Sequence, residues 1–274
     1  MNATFMIPHL VTVLVSIVLG LLVWSNNPRR MLNQSFMVLS LTLAGWLSVL
    51  GLGFQSEQAG FVRTMVRCSM AWAAIIPLLF DILRMAIVQS VVNWPEALRK
   101  DRVWLLLAGV TAALSFSPIM VLDVRMPGET GLFSVPEPVY GPGILAYAAF
   151  MTLSLATLVF FFIRDVRSHQ GIQRLELQFT MLGSGIGIFF GVCVAVLIPI
   201  LVSSSQSAQL LPLSVLFLDG LTAYGIATRR MLDVAGFVRR AAAYSLLTVY
   251  LISIYVVVYL LGQQFLSVWT DQPP

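Results

Sequence analysis

The chain has 274 residues, of which 58% are hydrophobic and only 10% charged, and its mean hydropathy is +0.90. Soluble domains carry about a quarter charged residues, so this composition excludes a water-soluble globule and indicates a polytopic membrane protein. The net charge of +4 does not indicate a nucleic-acid partner, because the basic residues stand in small groups between apolar runs; they read as topology signals and contacts with anionic lipid.

A helix needs roughly 20 apolar residues to cross about 30 Å of hydrocarbon. Runs of that kind fall at 5–25, 36–55, 69–90, 103–124, 143–163, 177–202, 209–228 and 241–265, which predicts an all-α membrane bundle of about eight transmembrane helices. The first run begins within "MNATFMIPHL", which has no Lys or Arg, and ends in "WSNNPRR" rather than at a small-residue cleavage site. That pattern predicts an uncleaved first helix with its amino terminus outside.

Alternate connections differ sharply in basic residues. One set holds Arg29 and Arg30, then Arg99, Lys100 and Arg102, then Arg164, Arg167 and Arg174, then Arg229, Arg230, Arg239 and Arg240, twelve of the sixteen Lys and Arg. The opposite set holds Arg63, Arg67 and Arg125. Cytoplasmic loops retain positive charge, so the first set is expected in the cytoplasm and both termini outside. The longest connection, "RMPGETGLFSVPEPVYGP", is rich in Pro and Gly and reads as an exposed external loop.

Ionisable groups at membrane depth are expensive and are the natural functional candidates. Asp81 and Arg84, in "PLLFDILRM", stand three apart and so share a helix face. They read either as a self-neutralising pair, with Arg84 reaching toward the cytoplasmic interface, or as a coupling or ligand-holding site. Asp219, in "LFLDGLTAYG", has no basic residue within a turn of it and must be protonated or find a partner across the bundle, with Arg84 as the expected one.

In the sixth run, "GSGIGIFFG" sets Gly183, Gly187 and Gly191 four apart, a small-residue face that lets another helix approach closely. A glycine-lined crevice is the alternative; the spacing is not a dinucleotide fingerprint. Pro77, Pro118, Pro199 and Pro212 fall within or near apolar runs, where proline bends a helix. His9 and His169 lack Cys, Asp or Glu at metal-ligand spacing and form no nucleophilic triad, and Cys68 and Cys193 suggest no disulfide framework, so no metal, cofactor or catalytic residue is expected. The single lysine, Lys100, lies in a connection, which excludes a buried Schiff base.

Four passages resemble one known pattern. They are "NNPRRMLNQSFMVLSLTLAGWLSVLG" with its central Trp46, "VYGPGILAYAAF", "IQRLELQFTMLGSGIG", and "LTAYGIATRRMLDVAGFVRRAAAYSLL". Their order and spacing are similar to the amino-terminal seven-transmembrane region of bacterial sensor histidine kinases over roughly residues 5–250. The resemblance implies a sensory input region over 1–240, followed over 241–274 by an additional membrane helix and short external tail. It also implies a cytoplasmic kinase or signalling partner, a bacterial inner-membrane location and a role for Arg229, Arg230, Asp233, Arg239 and Arg240 at the output end. A homodimer is compatible with it. No phosphoacceptor histidine or ATP-lid segment is recognisable, so the chain itself is expected not to be an enzyme. The other classes open at this point are a transporter or channel for a small solute, and a non-sensing assembly subunit.

Overall fold

The computed structural model describes residues 3–88, 93–126, 136–192 and 210–231, together with Tyr250, Leu251, Ile254, Tyr255 and Val258. Among the described residues there are eight helices and one two-stranded hairpin. The helices are α1 (Ala3–Asn26), α2 (Met31–Gln55), α3 (Ala59–Val88), α4 (Trp94–Lys100), α5 (Arg102–Ser115), α6 (Ile144–Ser168), α7 (Gly171–Val192) and α8 (Leu211–Met231). The strands are β1 (Val121–Arg125) and β2 (Glu137–Tyr140). Four segments among the described residues are long and apolar enough to cross a membrane, namely Ile7–Asn26, Met31–Gln55, Ala59–Val88 and Ile144–Ser168, while α5 and the first part of α8 are shorter apolar helices. The expected eighth span at 241–265 lies outside the described residues except for those five isolated positions.

Helix α3 is the hub. It packs on α2, α5, α6 and α7, and the ring closes through α7 on α8, α8 on α1 and α1 on α2. The reason is local pattern: Phe36, Leu39, Leu43 and Leu47 recur every three or four residues on α2 and are almost fully buried. On α3, Leu78 to Ile87 is buried on every side, consistent with a helix surrounded by others. Outward positions on the peripheral helices are apolar too: Leu106, Leu145 and Phe189 are 68, 75 and 71% exposed. In a soluble protein such surfaces would drive aggregation, whereas lipid solvates them.

Tight connections set the register at the basic end. After α1, Pro28 cannot continue a helix, the Arg29 amide donates to Asn27 Oδ1 at 3.2 Å, and Asn33 Nδ2 donates back to the Val23 carbonyl at 2.8 Å. Trp94 Nε1 donates to Gln34 Oε1 at 2.8 Å, seating α4 against α2. Between α6 and α7 the chain turns at Gly171, whose φ of +62° is accessible to glycine at little cost.

The fourth predicted run, 103–124, is corrected. Helix α5 stops at Ser115, and 14 residues span only about 21 Å. Two residues beyond its C-cap stands Pro118, and Val121–Arg125 then forms β1, antiparallel to β2 with Val121 opposite Tyr140 and Arg125 opposite Glu137. The stretch expected to be a plain loop is thus anchored at both ends by this hairpin. Arg67 on α3 donates to the Val121 carbonyl at 2.6 Å, and the Tyr147 hydroxyl on α6 donates to the Met70 carbonyl at 3.0 Å. The hairpin lies at the end of the bundle opposite the basic connections.

Candidate functional site

At the basic end of the bundle, Arg84 is buried with both carboxylates it touches. Its Nε donates to Asp81 Oδ1 at 2.6 Å, and its Nη1 donates to Asp165 Oδ2 on α6. Asp165 accepts a further hydrogen bond from Arg164 Nε at 3.1 Å. The ring of Phe161 lies under both guanidinium groups, 4.9 Å from Arg84 Cζ and 4.8 Å from Arg164 Cζ, a cation–π arrangement that strengthens as water is excluded. The sequence expectation of a pair three apart therefore holds for Asp81 and Arg84 but is incomplete, since the guanidinium also ties α3 to α6.

A third carboxylate completes the cluster. Asp101, in the connection between α4 and α5, is buried beside Asp81, and its Oδ2 has no hydrogen-bond partner among the described residues. Burial first, and then the Asp81 carboxylate, push its pKa up to about 7, while Arg84 pulls it down. Three carboxylates thus face two guanidiniums, and Asp101 is the one among them whose surroundings favour the protonated form. Above the cluster, Pro77, Asp81, Trp104, Phe150, Ser154 and Phe161 line a shallow, partly open groove between α3, α5 and α6.

Asp219 does not pair with Arg84, correcting the expected bridge. It lies on α8, 0% exposed, facing α1 and α2. Oδ1 accepts from the Ser40 hydroxyl at 3.1 Å, Oδ2 has no partner among the described residues, and the Ser16 hydroxyl of α1 stands beside the same carboxylate. Arg84 is committed to Asp81 and Asp165, so the Arg84 cluster and the Asp219 centre are separate.

A family model described as the N-terminal 7TM region of histidine kinase matches residues 8–235. The chain belongs to that family. No curated protein and no solved structure gives a significant match. The 7TM region is a membrane sensory input region, and the matched description is of that region rather than of a catalytic domain. Its match runs through both polar centres and through α8.

Within this 7TM region the three glycines of α7 differ in what they meet. A Cβ at Gly183 would stand 3.0 Å from Leu221 Cβ and 3.2 Å from the Leu218 carbonyl, and one at Gly187 would stand 2.9 Å from the Ser214 carbonyl, whereas one at Gly191 would meet ordinary contacts of 3.7 Å or more. Arg229 and Arg230 fall in the last turn of α8, and Asp233, Arg239 and Arg240 lie outside the described residues.

Sequence reasoning missed Asp165, Asp101 and Glu176. Asp165 sits in "RDVRS" and reads as a solvated loop residue between arginines, yet Ser154, Leu158, Phe162 and Asp165 follow one another at helical spacing on the buried face of α6. Extending that apolar phase by one more turn finds it. Glu176 is 1% exposed on α7 and binds Arg30 at the start of α2, 3.2 Å away. Its cue is similar, a lone acid one residue before the buried Leu177.

Proposed function

We propose that the chain is the input module of a histidine-kinase-type pathway in a bacterial inner membrane, with its amino terminus outside and its basic connections in the cytoplasm. A ligand or membrane state shifts helix packing, and the end of α8 carrying Arg229 and Arg230, continuing through Asp233, Arg239 and Arg240, passes the shift to a cytoplasmic kinase. The observation that carries this reading is the buried Arg84 cluster: one guanidinium holds α3 to α6 at the end where the basic loops gather. Buried ion pairs are poor sources of net stability but are sharply sensitive to geometry, so such a cluster favours discrete packings over gradual deformation. A stimulus acts by binding two such packings unequally.

The test is cross-linking of the tagged chain in its native membrane, followed by identification of what it captures. Recovery of a histidine-kinase core, lost or changed in phosphorylation level in Arg84→Gln and Arg230→Glu chains, supports the reading. A transporter remains the competing class because Asp219 and its hydroxyl neighbours form a polar centre inside the bundle. Solute flux in proteoliposomes of the purified chain, with no kinase captured, would establish that class instead.

A further inference from the structure

We infer that the centre around Asp219 is a binding site for a small monovalent cation of the sodium class, coordinated by the Asp219 carboxylate with the hydroxyls of Ser16 and Ser40. Three observations converge on it. First, the carboxylate is wholly buried, and among the described residues no guanidinium or ammonium group pairs with it. A carboxylate taken out of water with one hydroxyl donor is not electrically balanced.

Second, the neighbouring polar atoms are oxygens, and several are unsatisfied. Asp219 Oδ2, Ser16 Oγ, Thr12 Oγ1, Thr222 Oγ1 and the Tyr250 hydroxyl are buried without hydrogen-bond partners among the described residues. Serine and threonine hydroxyls in helices commonly donate to the carbonyl a turn earlier, as Thr42, Ser48 and Ser115 do here. Ser16, Thr12 and Thr222 do not, and so keep their oxygens available. One carboxylate and several neutral oxygens form a hard donor set that a single positive charge neutralises.

Third, the set is gathered from three elements rather than one. Ser16 comes from α1, Ser40 from α2 and Asp219 from α8, while Thr12 and Thr222 continue the polar seam one turn away on α1 and α8. Close backbone approach permits this: a Cβ at Gly20, one turn beyond Ser16, would stand 3.1 Å from Ser40 Cβ. The Tyr250 ring lies directly against Gly220, the residue that follows Asp219 on α8. The other titratable groups on the packed elements are engaged elsewhere: His9, two turns from Ser16, packs edge-on against Phe54 and Glu176 of α7 holds Arg30. The site does not depend on the sensory reading and fails or stands separately from it.

The experiment is thermal unfolding of the purified full chain in lipid nanodiscs, comparing sodium chloride with choline chloride at equal ionic strength across pH 6 to 9. Sodium at about tenfold above its dissociation constant raises Tm by about 3–6 °C over choline. The increment shrinks toward pH 6 as protons compete, and is lost in Asp219→Asn. Should Asp219→Asn not fold, Ser40→Ala and Ser16→Ala retain the carboxylate and weaken the increment at a given sodium concentration, and ²³Na line broadening on the wild-type chain reports occupancy directly. Identical Tm in sodium and choline at every pH overturns the site. So does stability that follows pH but ignores sodium, which assigns a proton alone, or a sodium increment that survives undiminished in all three variants.

Discussion

Asp165 shows what a single carboxylate does when a helix places it on the buried face. Removing it by Asp165→Ala leaves Arg84 buried with one partner fewer; because Asp81 still neutralises the guanidinium, the cost is that of a lost hydrogen bond to a charged group, about 1.5–3 kcal/mol. The expected outcome is a matching loss in an unfolding titration of the reconstituted chain. Asp165→Glu, which keeps the charge, recovers part of it. Asp101 behaves differently. Its pKa stands near 7 in the folded chain against an ordinary value of 3.8, so the folded state holds the proton more tightly than the unfolded chain does. This contribution to stability is present below about pH 4, declines as pH rises toward 7 and is absent above it. Asp101→Asn should flatten the dependence of Tm on pH over that window, and an unchanged slope would mean that another group carries it. Arg84→Gln should also move the window, because the guanidinium is the one neighbour that favours the charged form.

Among the elements, α7 and α8 pack extensively on each other, and their approach depends on individual glycines. At Gly187 an added Cβ meets the Ser214 carbonyl at 2.9 Å, and backbone cannot swing aside as a flexible side chain can. Gly187→Ala should therefore destabilise by about 1–3 kcal/mol, the usual range for overpacking. At Gly185 nothing lies within 4 Å, so Gly185→Ala should be neutral or slightly stabilising through helix propensity. The pair separates a packing face from a general intolerance of substitution, and chemical unfolding in mixed micelles measures both. The same comparison shows what was legible in the sequence. Fourfold glycine spacing identified the face but not its extent, since Gly191 carries no such constraint. Helix α5 illustrates a different limit: hydropathy alone continued it through Val124, because apolar β1 and apolar helix look alike until Pro118 and the alternation in "VLDVR" are weighed as breaks.

At the level of the whole molecule, composition and the distribution of arginines made the membrane bundle legible, because both are sums over many residues. The partners of individual charges were not, since which helices neighbour α3 depends on tertiary packing. Arg84 was expected to reach Asp219, yet α6 lies nearer its tip and Asp165 is there. The orientation is open to a direct check. In a cysteine-free background, Ser168→Cys beside the basic connections should react with a membrane-impermeant maleimide only after the cytoplasmic side is opened. Glu57→Cys, between α2 and α3, should react in intact cells. Labelling in the reverse order would invert the proposed topology and move the arginines of α8 away from any cytoplasmic kinase.

Helices α3 and α6 are fastened to each other twice, by Tyr147 to Met70 near the hairpin and by Asp165 to Arg84 at the opposite end. Along α3 the fastenings lie about 21 Å apart and along α6 about 27 Å, at a rise of 1.5 Å per residue. The two paths differ by about 6 Å, a difference that the long side chains of Arg84 and Tyr147 can span. The groove lined by Pro77, Phe150 and Ser154 lies between the two fastenings. Any change in how α6 sits on α3 therefore alters the groove and both fastenings together.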